Sequence, residues 1–108
     1  MTTRDRIDPE SRIPLEGLLE VLPGGFNAIA DITARRDFLT QMLSATPAPE
    51  NPRIEISNHV APGPDGDLAV RVYRPVGAKT ALPGLVYIHG GGMIMGGLDG
   101  EDGTCQMM

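Results

Sequence analysis

The residues with the clearest chemical potential in this sequence are His89-Gly90-Gly91-Gly92, which directly follow the apolar run at residues 85–88. Consecutive glycines carry no side chains, so their backbone N–H groups can turn toward a bound anion. Two such donors aimed at one point stabilise the negative charge that develops on oxygen during acyl transfer. The motif therefore predicts a binding site for a small oxyanion at the end of a strand.

Other glycine-rich motifs fit the spacing poorly. A dinucleotide-binding fingerprint needs glycine at its first, third and sixth positions, but counting from Gly90 the sixth position is Met95. A P-loop ends in Gly-Lys followed by Ser or Thr, whereas Gly96 is followed by Gly97. Phosphate binding is therefore disfavoured. A tight turn at a strand exit, with no chemical role, stays open as an alternative.

The elements around the motif indicate an α/β fold. Apolar and polar residues alternate over residues 54–60 and 68–73, the period of half-buried strands, and the turn-forming residues 62–67 lie between them. This pattern predicts an antiparallel hairpin. Residues 82–88 are apolar without alternation, which predicts a third, central strand covered on both faces. Beyond the glycines, Asp99 is expected to cap a helix.

The first half of the sequence is predicted to be helical. Apolar residues recur at helical spacing over residues 14–22 and again over residues 27–45, and a proline-rich linker follows at residues 46–52. The change of period after the linker predicts two regions. We expect a helical region at residues 1–50 and part of an α/β core at residues 51–108.

Composition excludes several kinds of partner. The 108 residues are 41% hydrophobic, with a net charge of -5, and Arg35-Arg36 is the one adjacent basic pair. This charge distribution argues against binding to nucleic acid or to an anionic membrane. Cys105 is the single cysteine, and together with the two histidines, His59 and His89, it matches no metal motif. No segment has the character of a secretory signal or a membrane span, so a cytoplasmic protein is expected. No cofactor or metal is expected either.

Three segments resemble the hormone-sensitive-lipase-like branch of the α/β-hydrolases, which includes many bacterial carboxylesterases. Residues 89–92 are similar to its oxyanion-hole motif. Residues 62–75, which end in Val-Tyr-Arg-Pro, resemble the hairpin of its first two strands, and residues 98–105 resemble the segment leading into its first core helix. The resemblance implies an incomplete α/β-hydrolase fold: N-terminal cap helices, then the first three strands and the start of the first core helix.

The same resemblance assigns roles to the motif. It implies that Gly91 and Gly92 donate their backbone N–H groups to the substrate oxyanion, and that His89 and Gly90 shape the turn. His89 is then not the catalytic base. The predicted partner is a small carboxylic ester.

Two residues depart from the family pattern. Met93 stands where an aromatic residue is usual, and Glu101 stands where a histidine is common. Met93 and Ile94 are the candidates for lining the acyl pocket. Asp102 occupies the family's usual acidic position.

The family's catalytic triad is not found in this sequence. Its nucleophile lies in a Gly-x-Ser-x-Gly segment, and none of the serines here, Ser11, Ser44 and Ser57, is flanked in that way. The sequence thus predicts part of a serine carboxylesterase that is inactive as these 108 residues alone. A ligand-binding protein on the same scaffold, as in the plant gibberellin receptors, and a truncated product without function stay open as alternatives.

Overall fold

The computed structural model describes residues 3–108. The chain divides into two compact units, Met1–Asp37 and Phe38–Met108, and the division falls within a helix. The boundary expected at residues 50 and 51 separates regions of different sequence pattern rather than these two units. It stays a prediction about domain organisation.

The first helix, α1, spans Pro9–Val21 and follows a short 3₁₀ segment at Thr3–Arg6. The Asp8 carboxylate caps it by accepting hydrogen bonds from the backbone N–H groups of Glu10 and Ser11 at 2.9 and 3.3 Å. Because this cap starts the helix at Pro9, Pro14 lies inside the helix and not in its first turn as expected.

The second helix, α2, spans Ile32–Ala45 and begins later than its apolar pattern predicted. The Asp31 carboxylate accepts a hydrogen bond from the Ala34 N–H at 2.8 Å and so fixes the start. The preceding residues Phe26–Ala28 form a separate 3₁₀ turn. Among residues 3–108, the structure contains no helix with the length and apolar character needed to cross a bilayer.

The predicted hairpin forms. Strand β1 spans Ile54–Gly63 and strand β2 spans Gly66–Pro75, paired antiparallel from Ile54 opposite Pro75 to Gly63 opposite Gly66. Alternate residues of a strand share a face. The odd-numbered residues of β2, which include Arg71 and Tyr73, therefore project to one face, and the even-numbered residues project to the other.

The expected third strand is absent from residues 3–108, where the sheet has two strands. Residues 82–88 have no regular secondary structure. Leu85, Val86 and Ile88 are 75%, 85% and 86% exposed. The physical reason is that a strand is held by hydrogen bonds to a neighbouring strand, and within residues 3–108 this segment pairs with no strand. A continuous apolar run indicates that a segment is suited to burial. The segment is buried only where other strands or helices cover it.

The third helix, α3, spans Leu98–Cys105. Asp99, expected to cap it, lies in its first turn, and Gly97 occupies the cap position. Past the end of α3, the buried Gln106 side chain accepts a hydrogen bond from the Asn51 N–H at 2.9 Å and donates one to the Pro49 carbonyl at 3.4 Å. These contacts join the proline-rich linker to the end of α3.

Candidate functional site

The glycine motif forms a tight turn. The Gly91 carbonyl accepts hydrogen bonds from the backbone N–H groups of Ile94 and Met95, both at 3.2 Å. Within the part of the chain that the structure describes, the N–H groups of Gly91 and Gly92 have no acceptor. Both residues are exposed. Two backbone donors are thus accessible in this turn, and their role as oxyanion donors stays a prediction.

Glycine is sterically required at the first of these positions. Gly91 has a φ of 131°, and a Cβ atom there would lie 1.8 Å from the Met95 carbonyl oxygen. The demand at Gly92 is conformational, because its φ is 61° while a Cβ would meet nothing within 4 Å. The geometry of the turn alone therefore explains why glycine is needed at position 91. A purely structural role for this residue is consistent with that geometry.

His89 contacts the backbone of the loop. Its Nδ1 lies 2.7 Å from the Gly90 carbonyl oxygen. Since a carbonyl oxygen only accepts, this contact requires the tautomer with the proton on Nδ1. The exposed imidazole ring is thus hydrogen-bonded to the carbonyl group of the next residue.

Met93 and Ile94 follow the glycines at the tip of the turn. Met93 is fully exposed, and its φ of 62° is in the left-handed region that a residue with a side chain rarely adopts. Ile94 is half-buried. Their predicted role in lining an acyl pocket stays a prediction.

A cluster of charged and polar residues joins β2 to α3. Arg71 Nη1 donates to both oxygens of the Asp102 carboxylate, at 2.8 and 2.9 Å, and lies 2.9 Å from Asp99 Oδ1. Arg71 Nε donates to Asn58 Oδ1 at 2.8 Å, and the Tyr73 hydroxyl donates to Asp102 Oδ1. The Arg71 side chain is 15% exposed, and that of Asp102 is 25% exposed. Charged hydrogen bonds of this kind are the stronger ones in proteins.

The cluster shifts the pKa values of two of its members. The hydrogen bond to Asp102 raises the pKa of the Arg71 guanidinium further above its already high value. Burial, followed by the hydrogen bond to Asp102, raises the pKa of Tyr73 from 10.0 to about 12. Ionised Tyr73 would place a second negative charge beside the Asp102 carboxylate, so the folded protein favours the neutral phenol.

The Tyr73 shift predicts a loss of stability at high pH. Below pH 10 the phenol is protonated in both the folded and the unfolded chain, so its contribution is fully present. Between pH 10 and about 12 the unfolded chain releases the proton and the folded chain keeps it, which lowers the free energy of unfolding. We expect a loss of at most about 3 kcal/mol across this window, measured by urea unfolding.

The matched variant for this measurement is Tyr73→Phe. The chain has two tyrosines, so absorbance titration of the variant follows Tyr87 alone. Hydrogen bonding to Glu101 also raises the pKa of Tyr87, which leaves a smaller pH dependence in the variant. An unfolding free energy with the same dependence on pH in both proteins would contradict the assignment to Tyr73.

A second contact with α3 comes from the segment before the glycine loop. The Tyr87 hydroxyl donates to Glu101 Oε2 at 3.0 Å. Glu101 is one of the two residues that depart from the family pattern. In this chain the departure provides a hydrogen-bond acceptor for Tyr87.

Most of this cluster was not predicted, because the apolar residues of β2 indicated that its opposite face is the covered one. Leu68, Val70 and Val72 are 57%, 39% and 43% exposed, while Arg71 and Tyr73 face α3. The signal that could have found the cluster is the placement of Arg and Tyr two residues apart on one strand face.

No group of three or more His, Cys, Asp or Glu side chains within residues 3–108 is arranged to hold a metal ion.

Comparison with known proteins gives the family. The chain is 38% identical to carboxylic ester hydrolase LipN of Mycobacterium tuberculosis over 77 residues, which cover 71% of this chain and 20% of LipN. It is 39% identical to carboxylesterase NlhH of the same organism over 101 residues, which cover 92% of this chain and 30% of NlhH. The chain belongs to this family of esterases. An ethyl acetate hydrolase from Pseudomonas putida is 50% identical over 40 residues, 35% of this chain and 13% of that protein.

The match is partial in length. The chain spans between 13% and 30% of these three esterases. No model of a protein family matches the chain, and no solved structure matches it. The family assignment therefore rests on the sequence relatives.

Proposed function

We propose that this chain supplies the oxyanion-binding loop of a serine carboxylesterase. The observation that carries the proposal is the exposed turn in which the Gly91 and Gly92 N–H groups have no acceptor within residues 3–108. Membership in an esterase family supports the same function. Each well-aimed donor of this kind contributes about 3 kcal/mol to stabilisation of the transition state.

The chemistry assigned to these residues is electrostatic. A serine from outside these 108 residues attacks the ester carbonyl carbon while a histidine accepts the hydroxyl proton. The carbonyl π bond opens and its electron pair moves to oxygen. The two glycine N–H groups donate to that oxygen. Its electron pair then re-forms the carbonyl, the C–O bond to the alcohol breaks, and the alcohol leaves with the proton from the histidine. Water hydrolyses the remaining acyl-serine by the same steps and releases the acid.

The substrate we propose is a small carboxylic ester. The printed name of one relative is ethyl acetate hydrolase, which favours a short acyl chain. In this proposal Met93 and Ile94 contact the acyl group, because they follow the oxyanion donors directly in the same turn. In this proposal residues 1–50 are the helical cap region, and residues 51–108 form part of the α/β core.

The test compares two proteins on p-nitrophenyl acetate. The 108-residue chain is expected to hydrolyse the ester no faster than background. A protein that carries this chain together with a Gly-x-Ser-x-Gly segment is expected to turn the ester over, and replacing its elbow serine by alanine removes that activity. An inactive longer protein with an intact serine elbow and histidine would contradict the proposal.

A further inference from the structure

The glycine loop is attached to α3 on both of its sides. Before the loop, the Tyr87 hydroxyl donates to Glu101. After the loop, Asp99 lies two residues beyond Gly97 and contacts Arg71 at 2.9 Å. The placement of the loop therefore depends on where α3 sits against the hairpin.

Arg71 contacts both the hairpin and α3. Its Nη1 lies within 2.9 Å of two carboxylates on α3, those of Asp99 and Asp102. Its Nε donates to Asn58 on the neighbouring strand, which fixes the direction of the guanidinium. In this way one largely buried side chain connects both strands of the hairpin to the first turns of the helix that follows the loop.

We propose that Arg71 is a positioning residue for the oxyanion loop. It acts through Asp99 and Asp102, which hold the start of α3 and with it the exit of the loop. This inference rests on the proposed function, because it assigns Arg71 a role in the same reaction. It adds a residue on β2, outside the glycine motif, on which the aim of the two N–H donors depends.

The geometry of the contact requires arginine and not only a positive charge. The planar guanidinium donates to Asn58 through Nε and to the carboxylates through Nη1 at the same time. A lysine ammonium at the end of a flexible stem can replace one of these contacts and not the whole set. Lysine at this position is therefore expected to rescue part of the function.

The first arm of the test measures loop motion in the 108-residue chain. In Arg71→Met, ¹⁵N relaxation of the amides of residues 90–97 is expected to show order parameters falling from about 0.85 toward 0.6, with Arg71→Lys in between. Arg74→Met is the control, because Arg74 is on the same strand and its Nη2 donates to the carbonyls of Ala78 and Thr80, away from α3. It is expected to leave the loop unchanged.

The second arm measures catalysis in the longer protein on p-nitrophenyl acetate. Loss of Arg71 is expected to lower kcat about 10-fold to 100-fold with little change in KM, because misaimed donors still admit the ester. Partial recovery of kcat in Arg71→Lys supports positioning by the guanidinium.

The two arms separate this inference from the proposed function. If the longer protein has no esterase activity, the proposed function fails, and the relaxation data still decide whether Arg71 orders the loop. Unchanged loop order parameters in Arg71→Met would overturn the inference. If Arg71→Met does not form the hairpin, the test uses Arg71→Lys instead. A folded lysine variant with wild-type loop motion and wild-type kcat would overturn the inference.

Discussion

Gly91→Ala is expected to lower kcat for p-nitrophenyl acetate about 100-fold to 1,000-fold in a protein that contains this chain and a serine elbow. The added Cβ atom would lie 1.8 Å from the Met95 carbonyl oxygen, so the turn must open to admit it. Because Gly91 has a φ of 131°, alanine is also strained there before any contact is counted. Under the proposed function, opening the turn moves the Gly91 and Gly92 N–H groups away from the substrate oxyanion.

The control for this substitution is Gly84→Ala. A Cβ atom at Gly84 would meet nothing within 4 Å, and its φ lies outside the left-handed region. We expect the kcat of Gly84→Ala to stay within about 2-fold of the wild type, because the same glycine-to-alanine change is made there without a steric conflict. Wild-type kcat in Gly91→Ala would show that the turn has no role in catalysis.

Asp102→Ala is expected to lower the free energy of unfolding by about 2 to 3 kcal/mol. The substitution removes the bidentate partner of Arg71 and the acceptor of the Tyr73 hydroxyl. Both partners are left half-buried with fewer hydrogen bonds, and an uncompensated guanidinium in that position is costly. Urea unfolding followed by circular dichroism measures the change.

Asp99→Ala provides a matched comparison. Both carboxylates contact Arg71 Nη1 at nearly the same distance, 2.9 Å for Asp99 and 2.8 Å for Asp102. Their exposure differs, at 83% and 25% of the side chain. Solvent screening limits an exposed pair to less than about 1 kcal/mol, so Asp99→Ala is expected to have a small effect. Equal losses in the two variants would show that burial does not set the strength of these contacts.

The hairpin could be predicted from the sequence because its signals are local. The alternation of residues 54–60 and 68–73 and the turn formers at residues 62–67 specify two strands and their connection without reference to the rest of the chain. The register, with Gly63 opposite Gly66, follows from the turn. The third strand could not be settled in this way, because residues 82–88 need neighbours that their own pattern does not encode.

The glycine turn arises from neighbouring residues, whereas the cluster around Arg71 arises from residues that are distant in the sequence. The four residues of the motif are consecutive, so their local pattern predicted a turn with bare backbone N–H groups, whereas the roles of Gly91 and Gly92 as oxyanion donors came from the family resemblance and stay a prediction. Arg71 and Asp102 are 31 residues apart, and the sequence does not reveal which face of β2 meets a helix. The predicted starts of α1 and α2 were wrong because the apolar spacing does not identify a capping residue: Asp8 lies before the first apolar pattern, and Asp31 lies inside the second.

The uncovered apolar segment at residues 82–88 has a consequence for how copies of this chain behave together. At pH 7 each copy carries a net charge of -5, so copies repel one another. The repulsion fades as the medium is acidified toward the isoelectric point near 4.8. There the bare valine and isoleucine side chains meet no net electrostatic repulsion, so we expect association of this polypeptide to be strongest near that pH.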